Sequence, residues 1–312
     1  MVTEGSHYVR NLALTAVLGS LVGILVLIVV LARMQLDALI SPNPSIPAET
    51  PADYGLAYWE ISLETEDGLR LAAWYLPALE GNGTALVLVH GMGANRAALL
   101  PTAAILSQHG YSLVLIDLRS HGQSQGDWVS YGYYEGLDVL AAVEFLVEEK
   151  GFGRERIGFL GVSLGGAAVI RAASLSDVPH VLVVVSTFHS LPAAIEDGFN
   201  QVSALPRWPF APLVVGLAER RFGLGMGELD LVAMMSRFSP RPVLLIHGAE
   251  DGVIPIHHHQ ALHMGASGMA ESWVVVGMGH EDPAHYDPVA FERRLISFLD
   301  RALLGRDSQG GR

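Results

Sequence analysis

Gly161-Val162-Ser163-Leu164-Gly165 places a serine two residues from a glycine on either side, between a short apolar run and a helix-like stretch. A serine hydroxyl becomes a useful nucleophile only when its oxygen stands clear of the backbone and a base takes its proton. A sharp strand-to-helix turn presents Oγ above the end of a sheet, and a Cβ at either flanking glycine would crowd that turn. The helix that follows directs its first N–H groups at the point where an oxyanion forms during acyl transfer. The chemistry implied is nucleophilic acyl transfer with Ser163 as nucleophile. The competing reading is a structural turn whose serine merely caps the helix. The five-residue pattern alone does not separate the two in a chain with 34 glycines; the strand before it and the helix after it do. A base and an acid must also be found among 13 histidines and 32 acidic residues, so position in the fold has to select them.

The elements that would position these groups read as follows. Residues 58–65 and 69–76 are strand-like, and Asp67-Gly68 between them supplies the positive φ angles of a tight hairpin turn. After this hairpin the rhythm changes to short continuous apolar runs at 85–89, 112–116, 156–161, 181–185, 243–246 and 272–276, the pattern of strands buried on both faces. Helix-like stretches lie between them at 96–108, 135–148 and 164–175, and a last one covers 288–304. Such alternation predicts an α/β fold with a mostly parallel sheet flanked by helices. Residues 187–240 interrupt the rhythm and are rich in proline, glycine and aromatics. A connection of that length predicts a helical cap over the site.

With those elements in place, the chain resembles the α/β-hydrolase family over roughly residues 58–304, most of all its membrane-anchored serine hydrolases of the Bem46 and ABHD type. The resemblance is carried by HGMGANR from His90, DLRSHGQS from Asp117, GVSLGG from Gly161, HGAEDGVIP from His247 and GMGH ending at His280, in the order and after the strands that the family would require. In that fold the nucleophile is followed in the chain by the acid and then by the histidine. The resemblance therefore implies Asp251 as acid, after the strand ending at Ile246, and His280 as base, after the strand ending at Val276. Glu250, adjacent to Asp251, and His285 are the alternatives, and Glu281 and Asp282 could orient the base. The oxyanion hole is expected from the backbone N–H of Leu164, directly after the nucleophile, and from that of Met92. His90 and His121 are expected to brace their loops.

Several signals carry less. His257, His258 and His259 with His263 suggest a metal, and His259 and His263 would share a helix face. Gln260 cannot act as the base of a zinc protease and no third ligand is apparent in the sequence, so no metal and no cofactor are expected. Trp208-Pro209-Phe210 and residues 213–217 would line an acyl pocket, touch lipid or pack inside the cap. The chain has 312 residues, 50% of them hydrophobic and 16% charged, which permits a sizeable core. A net charge of −13 excludes non-specific nucleic-acid binding. With no cysteine there is neither a disulfide nor a cysteine nucleophile.

Residues 12–31 contain no charged side chain and as a helix span about 30 Å, the thickness of a bilayer core. A transmembrane anchor is expected there, in contact with membrane lipid. The slight positive bias before the helix, Arg10 and the α-amine against Glu4, predicts the main domain outside the cytoplasm. Four prolines within residues 41–51 suggest an extended stalk. The expected organisation is an N-terminal tail at 1–11, an anchor at 12–32, a stalk at 33–52, the hydrolase domain at 53–305 with its cap at 187–240, and a disordered tail at 306–312. The function expected is a serine hydrolase acting on an ester or thioester of a small acyl or lipid-like substrate. A peptidase for small peptides and a non-catalytic binding protein of the same fold are the alternatives.

Overall fold

The central strands are almost wholly apolar because both faces of the sheet are covered there. In β3 (Ala85–Val89), Ala85, Val87 and Val89 face one core while Leu86 and Leu88 face another. The same two-residue alternation divides β4 (Ser112–Ile116), β6 (Val181–Val185) and β7 (Val243–Gly248) between the two cores. The computed structural model describes residues 2–42, 44–225, 227–266, 270–280 and 282–305. With β1 (Trp59–Glu64), β2 (Arg70–Leu76), β5 (Ile157–Val162) and β8 (Ala270–Val275), the strands form one eight-stranded sheet in the order β1-β2-β4-β3-β5-β6-β7-β8. The β1–β2 and β2–β4 pairs are antiparallel and every other pair is parallel. The fold is the α/β-hydrolase fold. Of the turn residues between β1 and β2, Gly68 alone has positive φ, at 83°, and Asp67 instead takes a hydrogen bond from the Thr65 hydroxyl.

One face carries α3 (Glu135–Glu144), which continues as a single π-helical turn to Glu149, together with α4 (Leu164–Leu175), α7 (Leu231–Phe238) and α8 (His257–Gly265). The other carries α2 (Leu100–Gln108) and α10 (Pro288–Leu304), with the short α9 (Pro283–Tyr286) between β8 and α10. The long insertion after β6 holds α5 (Leu191–Val202) and α6 (Arg207–Phe222), which pack on each other. Its third helix, α7, packs on α4 and α8. The cap is thus α5 and α6, and α7 belongs to the body.

The N-terminal helix α1 runs from Val2 to Ile40, well past the expected end of the anchor. Its apolar residues from Leu12 to Val30 are largely exposed, and Arg10–Ile40 is long and apolar enough to cross a membrane. Its last turns differ. Ala32, Leu36 and Ile40, spaced four apart on one face, are buried, and α1 packs against α6. The Ile40 carbonyl receives the Val129 N–H at 2.8 Å, and beyond it Ser45 O accepts from Asn95 Nδ2 at 3.0 Å. The segment expected as a stalk is therefore partly helix and partly a strap tied to the domain, because its apolar side chains find an apolar partner in the cap. The tail at 306–312 lies outside the described residues.

Candidate active site

Ser163 joins β5 to α4 with φ 55° and ψ −115°, left-handed backbone that a residue with a Cβ rarely adopts. Holding it costs on the order of 1–3 kcal/mol, which the surrounding packing must offset. Its N–H donates to Val185 O at 2.8 Å, fixing the turn to the neighbouring strand. A Cβ on Gly161 would run into Gly165 O, and one on Gly165 into Val89 O. Close approach of three backbone segments is what requires these two glycines.

His280, in the loop after β8, brings Nε2 to 3.0 Å from Ser163 Oγ and Nδ1 to 2.8 Å from Asp251 Oδ2. The carboxylate can only accept, so Nδ1 carries the proton and Nε2 faces the serine hydroxyl with a free lone pair. Asp251 is buried in the loop after β7, and its other oxygen takes the N–H groups of Val253 and Ile254 at 2.9 and 2.8 Å. Burial pushes its carboxyl up. The hydrogen bonds from His280, Ile254 and Val253 outweigh this and hold it below the usual carboxylate range. His247 steadies the same turn by donating from Nε2 to Ile254 O at 2.8 Å.

The alternatives stand elsewhere. Glu250 and His285 are exposed. Asp282 is turned to cap α9 through Ala284 N and to accept from the Thr102 hydroxyl at 2.8 Å, so it does not orient the ring of His280. Glu281 lies outside the described residues.

The loop after β3 closes the other side. A Cβ on Gly91 would lie 3.2 Å from Ser163 Cβ, which places this backbone beside the nucleophile. His90 and His121 clamp it on both sides of Met92. His90 Nδ1 donates to Gly91 O at 2.7 Å and Nε2 accepts from Leu118 N at 3.1 Å; His121 Nε2 accepts from Gly93 N at 3.1 Å. Both rings are neutral. Burial, then the charge His121 would carry, pushes His90 down to about 3, and burial lowers His121. Asp117 ties this loop to the one after β4 by accepting from the Arg96 and Gln123 amides and from the Arg96 guanidinium. Among the described residues, neither the Met92 nor the Leu164 amide has a protein acceptor.

Above Ser163 lies a cavity of about 290 Å³. Its walls include Gln35, Ala38 and Leu39 of α1, Ala194 and Gly198 of α5, and Tyr131, Phe188, Met92 and Ile254 of the body. Among the described residues, no charged side chain lines it. The N-terminal helix as a wall of the site was not legible in the sequence, because the stalk reading separated the two. Trp208, Phe210 and residues 213–217 are not among the lining residues. Phe210 and Val214 are buried within the cap packing, whereas Trp208 is 78% exposed.

The histidines after β7 separate into two groups. His259 is held by Ser272 Oγ at 2.7 Å and stacks on His263. His257 and His258 instead meet His189, from the loop after β6, and Asp197 of α5. The third partner missing from the sequence reading thus comes from the cap side of the fold.

A serine hydroxyl hydrogen-bonded to an imidazole whose far nitrogen is fixed by a buried carboxylate can transfer an acyl group. Residues 82–237 match the family model described as serine aminopeptidase, S33. The uncharacterized protein Rv2307c of Mycobacterium tuberculosis is 30% identical over 269 residues, covering 85% of this chain and 86% of that one. The thiohydrolase aneE of Aspergillus aculeatus is 36% identical over 132 residues, 41% of each chain. Among solved structures, the Pyrococcus furiosus esterase Pf2001 superposes with a TM-score of 0.71 over 84% of this chain and 99% of that one, at 24% identity. The family match over half the chain and the relative that spans most of it place this protein in the serine aminopeptidase S33 family of α/β-hydrolases.

Proposed function

We propose that this protein is a membrane-anchored serine hydrolase that cleaves an ester or thioester bearing an apolar acyl chain. The observation that carries this reading is the hydrogen-bonded series Ser163, His280, Asp251 at the floor of an uncharged cavity walled by the end of α1. Ser163 Oγ attacks the acyl carbon while His280 Nε2 takes its proton, and Asp251 stabilises the resulting imidazolium. The Leu164 and Met92 amides hold the oxyanion. His280 then returns the proton to the leaving alcohol or thiol, and water activated by the same nitrogen releases the acid.

The cavity supports an acyl substrate over a peptide amine. A free α-ammonium group needs a carboxylate or several acceptors when it leaves water. Among the described residues, the polar groups that the lining side chains offer are the amide of Gln35 and the hydroxyls of Tyr131 and Ser163. The exposed apolar surface of α1 before Ala32 supports an anchor at the bilayer, and Gln35, Ala38 and Leu39 bring its end to the cavity. That combination favours the Bem46 and ABHD type of arrangement, and the slight positive bias before the helix, Arg10 and the α-amine against Glu4, favours the hydrolase domain on the extracytoplasmic side. The test is a panel of p-nitrophenyl esters, acyl thioesters and aminoacyl anilides assayed with the full chain in detergent. Turnover of acyl substrates that rises with chain length is expected. Preference for the anilides with a free amine would instead favour the peptidase reading.

A further inference from the structure

Among the described residues, three side chains give the cavity above Ser163 its polar groups, and two of them are engaged. The Ser163 hydroxyl meets His280, and the Tyr131 hydroxyl makes a long hydrogen bond of 3.4 Å to Leu39 O. The third is Gln35, whose Nε2 is buried and has no hydrogen-bond partner among the described residues. The neighbouring charges on the same helix are matched, since Arg33 and Asp37 pair with each other at 3.2 Å on the exposed side. Gln35 instead shares one face of α1 with Ala38 and Leu39, and all three line the cavity. Native proteins keep few buried N–H groups unpartnered, because apolar surroundings offer nothing in place of water.

The body holds this stretch of α1 in place. Val129 N–H donates to Ile40 O at 2.8 Å, and Tyr131 reaches Leu39 O from a backbone of φ 56°. Glu135, fully buried, holds that strained segment by accepting from the Ser130 and Gly132 amides, each at 2.8 Å. Gln35 thus stands on a fixed element, while the terminal torsion of its own side chain is soft, so the amide can turn its N–H₂ to an acceptor in the cavity. We propose that Gln35 is a specificity-determining residue, and that the substrate's acyl chain carries an oxygen (an oxo, hydroxyl or ether group) that accepts from Gln35 Nε2. The assignment rests on the ester- or thioester-cleaving reading of the site and narrows it to oxygenated acyl chains. In that reading the reacting carbonyl goes to the Leu164 and Met92 amides, so the oxygen that meets Gln35 is a second one. A plain alkyl chain would fill the cavity and leave the amide unpartnered, and that difference selects between the two chains.

The test uses the full chain in detergent and p-nitrophenyl decanoate beside analogues in which one methylene beyond the β-carbon is replaced by a carbonyl or an ether oxygen, at successive positions. Isomers with the same oxygen at different positions are equally polar, so a difference among them reports a local contact. In the wild type, kcat/KM is expected to be roughly five- to tenfold higher for oxygen at one stretch of the chain than for its isomers. Gln35→Leu, which nearly keeps the shape of the side chain, should level the isomers and raise kcat/KM for decanoate itself. Its melting temperature should be equal or higher, since an unpartnered amide is removed. A side chain that merely packs α1 would instead lower turnover of every ester together. Equal turnover of all isomers by the wild type overturns the proposal. So does a positional preference that survives in Gln35→Leu, which would assign the oxygen to Tyr131. Both outcomes leave the hydrolase reading standing. No turnover of any ester, with Ser163→Ala indistinguishable from wild type, removes that reading and the role of Gln35 together.

Discussion

Gly198 gives a direct handle on the cavity. It lies in α5 on the cavity wall, and a Cβ built on it meets no atom within 4 Å. Gly198→Leu therefore projects four carbons into open space of about 290 Å³. If those carbons occupy the volume of the distal acyl chain, a long-chain substrate loses the burial of about four methylenes. At about 0.8 kcal/mol each this is roughly 3 kcal/mol, or about two-hundredfold in kcat/KM at most. An acetyl ester, which does not reach the wall, should be nearly unaffected. Helix propensity acts the other way on stability, since leucine in place of a helical glycine stabilises by about 0.5–1 kcal/mol. The assay is kcat/KM for p-nitrophenyl esters from acetate to decanoate, with thermal melting of both proteins. A melting temperature held or raised, with a loss confined to long chains, is expected. Equal loss for acetate and decanoate, or no loss for either, would refute the assignment of this cavity to the acyl chain.

Three further outcomes follow from the same geometry. His121→Ala removes the acceptor for Gly93 N–H and frees the loop carrying Met92, so kcat should fall by about 10- to 100-fold with KM nearly constant; an equal rise in KM would point to a binding role instead. Acid should destabilise the fold through His90, which protonates near pH 6.5 when unfolded but only near 3 when folded. Stability is then full above about pH 6.5 and falls as pH drops toward 3, by on the order of 3 kcal/mol at pH 4.5 from this residue alone; a urea midpoint equal at pH 7.5 and 4.5 would contradict this. Deleting residues 1–40 strips one wall from the cavity and exposes the apolar cap surface under Leu36 and Ile40. Soluble aggregation or loss of long-chain turnover should result, and a monodisperse product with unchanged chain-length preference would show that α1 serves only as an anchor.

Much of the site was legible because its logic is local. The β5–Ser163–α4 turn declares itself through glycines whose Cβ atoms would strike backbone. Asp251 and His280 were found by their place after the strands that became β7 and β8, where the loops of a parallel sheet converge at one edge. What the sequence did not disclose depends on docking between distant elements. Residues 12–32 read as a membrane anchor and residues 33–52 as a stalk, and nothing in their composition marks the last turns of α1 as cavity wall until the cap stands against them. The histidine cluster failed for the same reason. His189 lies 69 positions before His258, and Asp197 belongs to a cap helix whose placement no local pattern specifies.

The central claim is that Ser163 is an activated nucleophile. Its most direct test is covalent labelling of the full chain in detergent with a fluorophosphonate probe, followed by peptide mapping of the modified residue. The wild type should label at Ser163, Ser163→Ala should not label, and His280→Ala should label at least about a thousandfold more slowly. Labelling that persists in Ser163→Ala, or a folded wild type that remains unlabelled, would contradict the account.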